Sequence, residues 1–564
     1  MKSNWILPKP PDQEEIELLS EALNVPKTIT SLLLVRGYND PKKAARFLHP
    51  EIGDMYDPFL MKDMNKAVSR IIKAIRNKEK ILIYGDYDAD GTTATALLYR
   101  ILKEIGNTPL YYIPHRLKEG YGITDKGIRF AKQSYVNLII TVDCGVCEVP
   151  KVSALNELGI DVIITDHHEP KETLPEAVAI LDPKIDDYPC KDLSGCGVAL
   201  KLAQALYKEL GLNPLKLMRY FDLVALSTVA DVVPLTDENR IITKFGIQRL
   251  ERTSNIGLKS LLEITGLINA KLSTYHIGFI LGPRVNAQGR LGEARDVVLL
   301  LTTEDREEAY GIAKKLDDEN RKRMKIQEEI VEDAYKKVKE LDLEETKGVV
   351  LAAEEWHPGV IGVAASKIVE KFYRPVILIA LDGDMGKGSA RSIPEFHLYN
   401  ALKECNHIFE SFGGHKLAAG LIIERKNIDE LKTTFNKIAI NKLKGVKLVN
   451  KVFIDQELPL TKIDEALLNG LNAFNPLGLG NPKPLFLAKN VQVVGYPKIL
   501  NNTHLKFKVR ANDKIVSAIA WHSEGLFNSI TTGIKVDLVY GLRESEYLGR
   551  SEIELNVVDV DILT

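Results

Sequence analysis

Three short apolar runs end in acidic residues. ILIYG leads into Asp86, Asp88 and Asp90, LIITV into Asp143, and VIIT into Asp166, His167 and His168. A fourth acid-bearing segment places Asp231 after the apolar stretch DLVALSTVA. Carboxylates gathered in one place repel one another and resist ionisation. Divalent cations remove that cost, and oxygen donors joined by an imidazole nitrogen suit Mn²⁺, with Mg²⁺ compatible. Two such ions, ~3.5–4 Å apart, can hold both the attacking and the leaving oxygen of a phosphoryl displacement. One carboxylate must then bridge them, and Asp143, alone at the end of its strand, is the candidate. A single Asp after a strand is more often a cap or a turn residue. The set at three strand ends, with Asp231, carries the argument.

The elements that must position these groups are also legible. From about 78 to 185, β-rich apolar runs (ILIYGD, PLYYIP, LIITVD, DVIITD, AVAILD) alternate with helical stretches such as TTATALLYRILKEIG. Strands apolar on both faces and separated by helices imply a parallel sheet covered on both sides. Ligands of such sheets bind at the carboxyl ends of the strands, so the acids fall along one edge. Residues 196–250 read as mostly helical and close this domain. Residues 303–342 are charged, lack proline and have helical periodicity, which predicts a solvated helix joining two bodies across a gap. A second, smaller α/β pattern follows over 347–444. NPLGLGNPKPLF reads as a junction, and the short β runs after it predict a small β-barrel. The resulting division is a helical segment over 1–75, a catalytic α/β domain over 76–302, a connecting helix over 303–345, a second α/β domain over 346–445 and a β-barrel over 446–564.

Bulk properties narrow the class. A chain of 564 residues corresponds to three or four domains, and 45% hydrophobic with 27% charged residues is ordinary for a globular protein. The net charge of −2 supplies no electrostatic case for nucleic acid, although a local basic groove is compatible with it. Five scattered cysteines do not make a disulfide framework. Cys144 and Cys147 form a CxxC directly after Asp143, but zinc needs four ligands and no second CxxC exists. The start has no apolar h-region, and no apolar run nears the ~20 residues that span a bilayer. A soluble cytoplasmic protein without a membrane association is expected.

Two further patterns could contact phosphate. GSARS places Ser389 and Arg391 two apart on a predicted strand, on one face. Arg binds phosphate bidentately and Ser adds a hydroxyl donor; a solvated strand face explains the same residues. In FGGHKLAAG, two glycines precede His415 and would let backbone approach a ligand, though such loops are also common turns. In the barrel, HLKFKVR sets Leu505, Phe507 and Val509 on one face and Lys506, Lys508 and Arg510 on the other, a basic stripe or an ordinary charged face.

GDYDADG, VDCG, TDHH and STVADVVPL resemble motifs one to four of the DHH phosphoesterases, and within them the RecJ-type single-strand-specific exonucleases. RGYNDPKKAARFLHP, RLKEGYG, GPRVNAQGRLGEA, WHPGVIGVAASKIVEKFYRP, GSARS, FGGHKLAAG and PLGLGNPKPLF extend the resemblance over nearly the whole chain. It implies an α/β multidomain fold: a parallel-sheet DHH domain, a smaller α/β DHHA1 domain joined to it by a long helix, and a C-terminal OB-like barrel. It implies two Mn²⁺ or Mg²⁺ ions, one on Asp90, Asp143, His167 and Asp231, the other on Asp88 and Asp143, with Asp86 as a further ligand. Many relatives carry a His where Tyr84 stands here, which leaves the place of Asp86 open. His168 is implied to act on the phosphate. Arg116, Arg284, Arg290, Ser389, Arg391 and His415 are implied to bind phosphate or DNA.

The implied activity is 5′–3′ exonuclease action on single-stranded DNA, releasing mononucleotides in recombination and repair. A monomer is expected, with a RecQ-type helicase and a single-strand-binding protein as partners. Two other readings stay open: a DHH enzyme acting on oligonucleotides, cyclic dinucleotides or pyrophosphate, and a non-catalytic single-strand-binding scaffold.

Overall fold

The structure is a computed structural model that describes residues 3–185, 187–547 and 550–563. The chain divides into two compact units, one of Pro58–Asp231 and Gly246–Val449, the other of Met1–Asp57, Val232–Phe245 and Asn450–Thr564.

The first of these units contains both α/β patterns. Its five-stranded parallel sheet has the order Leu110–Tyr112, Ile81–Gly85, Leu138–Val142, Asp161–Thr165, Ala179–Leu181. The strands Ile81–Gly85 and Leu138–Val142 are buried at every residue, as apolar runs covered on both faces require. The register sets the site: Gly85 pairs with Val142, and Val142 with Thr165. The next residues, Asp86, Asp143 and Asp166, therefore leave the sheet at one level.

The second sheet has the order Ser411–Gly414, Ala418–Glu424, Met385–Arg391, Val376–Asp382, Val349–Ala353. Only its last two strands are parallel.

The 34-residue helix Arg306–Lys339 spans roughly 50 Å at ~1.5 Å per residue. Asp305 caps it, acids fill its first turn, and lysines its last, complementing the helix dipole. It is less solvated than its charge suggests. Ala309, Ala313 and Leu316 bury one stripe of its first half. Ile330, Ala334 and Val338 pack with Trp356, Ile361 and Leu378 of the second domain. The helix is thus part of the core on which both α/β domains are built, a correction to the picture of a bare connector.

In the other unit, five strands close into a barrel. Phe486–Leu500 pairs with both His504–Ala511 and Lys535–Tyr547, and the ring continues through Lys514–Ala520 and Arg550–Leu563. Leu505, Phe507 and Val509 point into its core, as the alternation predicts. The N-terminal helices share that core through Leu19, Ile29, Leu32 and Phe47. Arg240 is buried in this unit and donates to the carbonyls of Phe47, Ala473, Phe474 and Asn475 at 2.8–3.0 Å. Among the described residues no single helix is long and apolar enough to cross a membrane.

Candidate active site

Asp88 caps the helix Ala89–Glu104, accepting from the N–H groups of Asp90 (2.9 Å) and Gly91 (3.0 Å). That cap turns the chain so that Asp86 and Asp90 both face the sheet edge. Asp90 is buried at the start of the helix Gly195–Glu209, and its carboxylate accepts the N–H groups of Gly195 (2.6 Å) and Cys196 (2.8 Å) and the Ser227 hydroxyl. Gly195 is needed there, since a Cβ would meet Cβ of Asp143 at 2.7 Å and Oδ2 of Asp90 at 3.0 Å.

Asp143 has a left-handed backbone (φ 59°), a conformation that Asp tolerates better than most residues. Its carboxylate lies 3.1 Å from Nε2 of His167, which is 3.6 Å from Asp90 and 3.7 Å from Asp231. Donor atoms converge in three groups, each within 4.8 Å: Asp86, Asp88 and Asp143; Asp90, His167 and Asp231; and Asp143, His167 and His168. Asp143 belongs to two of them.

The electrostatics of this cluster are adverse without a cation. Burial, then Asp90, Asp88, Asp231 and Asp86, push the Asp143 carboxyl well above its usual range. Burial followed by Asp88 raises Asp86, and burial followed by Asp90 raises Asp231. Oδ1 of Asp86 is buried without a hydrogen-bond partner. Among the described residues, no lysine or arginine forms an ion pair with these acids. Hard oxygen donors, one imidazole nitrogen and an orphaned carboxylate oxygen fit divalent cations of the Mn²⁺ or Mg²⁺ kind.

His168 is held differently. Its Nδ1 lies 2.7 Å from Oδ1 of Asp166, which also accepts the N–H groups of His167 and His168, while Oδ2 accepts that of Val146. Burial alone would lower this imidazole, but the hydrogen bond and charge of Asp166, with Asp231 and Asp88, outweigh it and raise it to about 9. The Tyr121 hydroxyl donates to the Asp143 carbonyl (3.2 Å) and lies 3.2 Å from Nδ1 of His168. Neither role was visible in the sequence: Asp166 reads as another candidate ligand, and Tyr121 as part of a glycine-rich turn. The glycines either side of Tyr121, both with φ near +80 to +90°, were the available signal.

Tyr84 points away from the acids. It is buried, stacks on Tyr112 (5.3 Å between centroids), accepts the N–H of Thr124 (3.0 Å) and donates to the Gly122 carbonyl (3.2 Å). Glu119 pins the same loop through Tyr112 (2.7 Å), Thr124 (3.1 Å) and the N–H of His115 (3.1 Å). This loop carries both Arg116 and Tyr121.

A second cluster is basic. Ser389 and Arg391 share one face of the strand Met385–Arg391, with Nη1 of Arg391 donating to the Ser389 hydroxyl (3.2 Å). Gly362 leaves room for them, since a Cβ there would lie 2.9 Å from Oγ of Ser389 and 3.1 Å from Nη2 of Arg391. Arg116 stacks over Tyr87 (4.9 Å). Burial, then Arg116, Arg391 and Arg323, lower Arg290 to about 9, while Asp88 opposes them. Burial and Asp88 still raise Asp86, with Arg116 opposing them in part. Nη1 of Arg290 donates to the Gly359 carbonyl (3.3 Å), three residues before the Gly362 that borders Arg391, so the guanidinium groups gather beside the carboxylates, an arrangement that an anion would relieve.

Arg284 lines the same groove as Arg290 but its charge is paired, and His415 lies elsewhere. Arg284 is engaged by Asp317 of the long helix (2.8 Å) and by the Ile280 carbonyl. His415 is exposed at the turn between Ser411–Gly414 and Ala418–Glu424. Arg323, which lies on the long helix and lines the groove beside Arg290, was missed because it looked like one charge among many.

Family descriptions match three stretches: the DHH family N-terminal domain over residues 80–228, the DHHA1 domain over 345–441 and the RecJ OB domain over 454–559. The single-stranded-DNA-specific exonuclease RecJ of Bacillus subtilis (strain 168) is 39% identical over 566 residues, covering 100% of this chain and 71% of that protein. The chain belongs to the RecJ family. The RecJ of Escherichia coli (strain K12) is 32% identical over 96% of this chain and 98% of its own length. The RecJ fold itself is recovered: the crystal structure of RecJ in complex with Mn²⁺ from Thermus thermophilus matches with a TM-score of 0.86 at 30% identity, covering 99% of this chain and 79% of that one. The RecJ structure with Mg²⁺ from the same organism matches with a TM-score of 0.79 at 28% identity, covering 99% of this chain and 78% of that one.

Proposed function

We propose that this chain is a single-stranded-DNA-specific exonuclease that hydrolyses phosphodiester bonds from the 5′ end. The observation that carries this reading is the adjacency of the two clusters: Arg116 stacks over Tyr87, which sits between Asp86 and Asp88, and Gly289, next to Arg290, packs against the Tyr87 carbonyl. A terminal phosphate held by the arginines would set the next phosphodiester against the carboxylates.

Asp90, Asp143, His167 and Asp231 would hold one divalent cation, and Asp86, Asp88 and Asp143 the other. Such ions activate water and neutralise charge developing on the phosphate oxygens. Arg116, Arg290, Ser389 and Arg391 bind and orient the terminal phosphate. With Nδ1 engaged by Asp166, Nε2 of His168, 3.5 Å from the Tyr121 hydroxyl, would hold a proton near the leaving oxygen. Water adds to phosphorus and the bond to the 3′ oxygen of the terminal nucleotide breaks. A mononucleotide leaves, and the shortened strand keeps a 5′ phosphate that the arginines can bind again.

Family membership supports a place in DNA recombination and repair, a cytoplasmic monomer, and a RecQ-type helicase and single-strand-binding protein as partners. The five-part division of the chain at 75, 302, 345 and 445 is likewise proposed.

The test offers end-labelled single-stranded DNA, duplex DNA, a cyclic dinucleotide and pyrophosphate with Mn²⁺. Loss of only the single strand, with mononucleotide release, is expected. Turnover of the cyclic dinucleotide or pyrophosphate instead, or binding without turnover, overturns the reading.

A further inference from the structure

Beside the site runs a groove of about 770 Å³, bounded by the first domain, the long helix and the helix Ile361–Phe372. It opens from the catalytic residues at two places. Asn286 lines it and accepts the N–H of Ala89, inside the acidic loop, and Ala230, next to Asp231, lines it as well. Arg290 joins it to the basic cluster.

At its rim stand two aromatic rings that the fold does not use. Phe279 lines the groove and is 71% exposed; Tyr275 is 60% exposed. Their rings stack, with centroids 5.1 Å apart and planes 26° from parallel. Phe279 belongs to the π-helical turn His276–Leu281 and Tyr275 is the N-cap residue before it, and a spacing of four sets the two rings on one face. Single exposed rings are ordinary, but two rings stacked on each other beside a charged groove make a contiguous apolar surface of the kind that takes a ligand.

The charges say what would bind. Arg290, Arg323 and Lys367 line the groove against one acid, Glu328, together with Arg284, whose charge Asp317 pairs. Arg323 is held by amide oxygens, those of Asn320 (3.0 Å) and Gln327 (2.6 Å), which orient its guanidinium without neutralising it. Cations along a channel with aromatic rings at its mouth match a polyanion whose bases are unpaired. A duplex would keep its bases stacked on each other and could not offer them to Phe279.

We propose that Phe279 and Tyr275 form a stacking step for the bases of the strand 3′ to the scissile bond, with Arg323 steering the intervening phosphates. This rests on the reading of the chain as a single-strand exonuclease and goes beyond it. It assigns the determinant of strand-length dependence to a segment outside every motif of the family resemblance.

The test uses the full chain. Phe279→Trp adds a fluorophore at the step to the three native tryptophans, and binding of a dT oligonucleotide in EDTA, which removes the cations that hydrolysis needs, should quench it beyond any change in the unmodified chain. Phe279→Ala with Tyr275→Ala should weaken binding of long single strands by roughly five- to 150-fold. Hydrolysis of a dinucleotide, too short to reach the step, should stay within about twofold. Both residues are exposed, so folding is not at risk; circular dichroism checks it. Oligonucleotide binding by anisotropy without a change in tryptophan emission beyond that of the unmodified chain overturns the proposal. So does an equal loss on dinucleotide and long strand. If the unmodified chain neither binds nor cleaves single strands, the functional reading itself fails, which is a distinct result.

Discussion

Nδ1 of His168 donates to Oδ1 of Asp166 at 2.7 Å, and the same carboxylate gathers three backbone N–H groups around it. Asp166 is therefore the organiser of the turn rather than a metal ligand, and it is what raises His168 against the effect of burial.

A pH dependence follows for the metal-free protein. The folded value of His168, about 9, lies above its ordinary 6.5. Its contribution to stability is then fully present below about 6.5 and is lost as the pH rises through about 9. Asp166→Asn removes the anion, so the titration should move down toward the ordinary value. NMR titration of the imidazole Cε1–H, assigned with His168→Gln, measures this; an unmoved midpoint in Asp166→Asn refutes it.

The acidic cluster titrates in the opposite sense from a typical surface carboxylate. Burial and mutual repulsion raise Asp86, Asp143 and Asp231, burial first in each case. The metal-free fold favours their protonated forms, so their contribution to stability is greatest at low pH and falls as the pH rises above their unfolded range of ~4. A divalent cation replaces those protons. Mn²⁺ should therefore raise Tm more at pH 8 than at pH 5, by scanning fluorimetry, and EDTA should reverse it. Asp143→Ala should remove most of the shift and abolish hydrolysis while leaving strand binding largely intact. Normal activity in that variant would remove Asp143 from the site.

Arg391 and Ser389 are expected to read the 5′ phosphate. Charge-assisted hydrogen bonds contribute ~1.5–3 kcal/mol, so Arg391→Ala should cut the preference for a 5′-phosphorylated strand over a 5′-hydroxyl strand by roughly ten- to a hundredfold. Gly362→Ala should do so in part, because its Cβ would crowd both residues. Rates on matched oligonucleotides measure it, and an unchanged ratio in both variants dissociates this strand from the terminus.

Tyr84 acts through the loop it anchors. Tyr84→Phe removes an acceptor for the Thr124 N–H and a donor for the Gly122 carbonyl, a cost of about 1–3 kcal/mol for buried polar groups. The loop that carries Arg116 and Tyr121 should loosen, lowering kcat and raising KM together. The Mn²⁺-induced rise in Tm should not change. A lost rise would mean that Tyr84 touches the metal ligands directly.

Local sequence determined the parts of this protein. Apolar runs ending in Asp86, Asp143 and Asp166 dictate buried parallel strands, because a period without polar residues can be satisfied only where both faces are covered. The alternation of Leu505, Phe507 and Val509 dictates a barrel strand for the same kind of reason. What the sequence could not decide was which acid does what. Asp86, Asp88, Asp90, Asp143 and Asp166 look alike as letters. They differ in whether a backbone N–H, a helix start or another carboxylate lies within hydrogen-bond range, and those neighbours come from as far as 137 positions away along the chain. Asp90 receives Ser227, Asp166 receives Val146, and Asp86 keeps an oxygen with no partner at all. The basic cluster is the stronger case. Arg116, Arg290 and Arg391 lie on three separate segments, and nothing in their spacing brings them together. Only the packing of the second domain along the helix Arg306–Lys339 does so, since like charges meet only where the rest of the fold holds them.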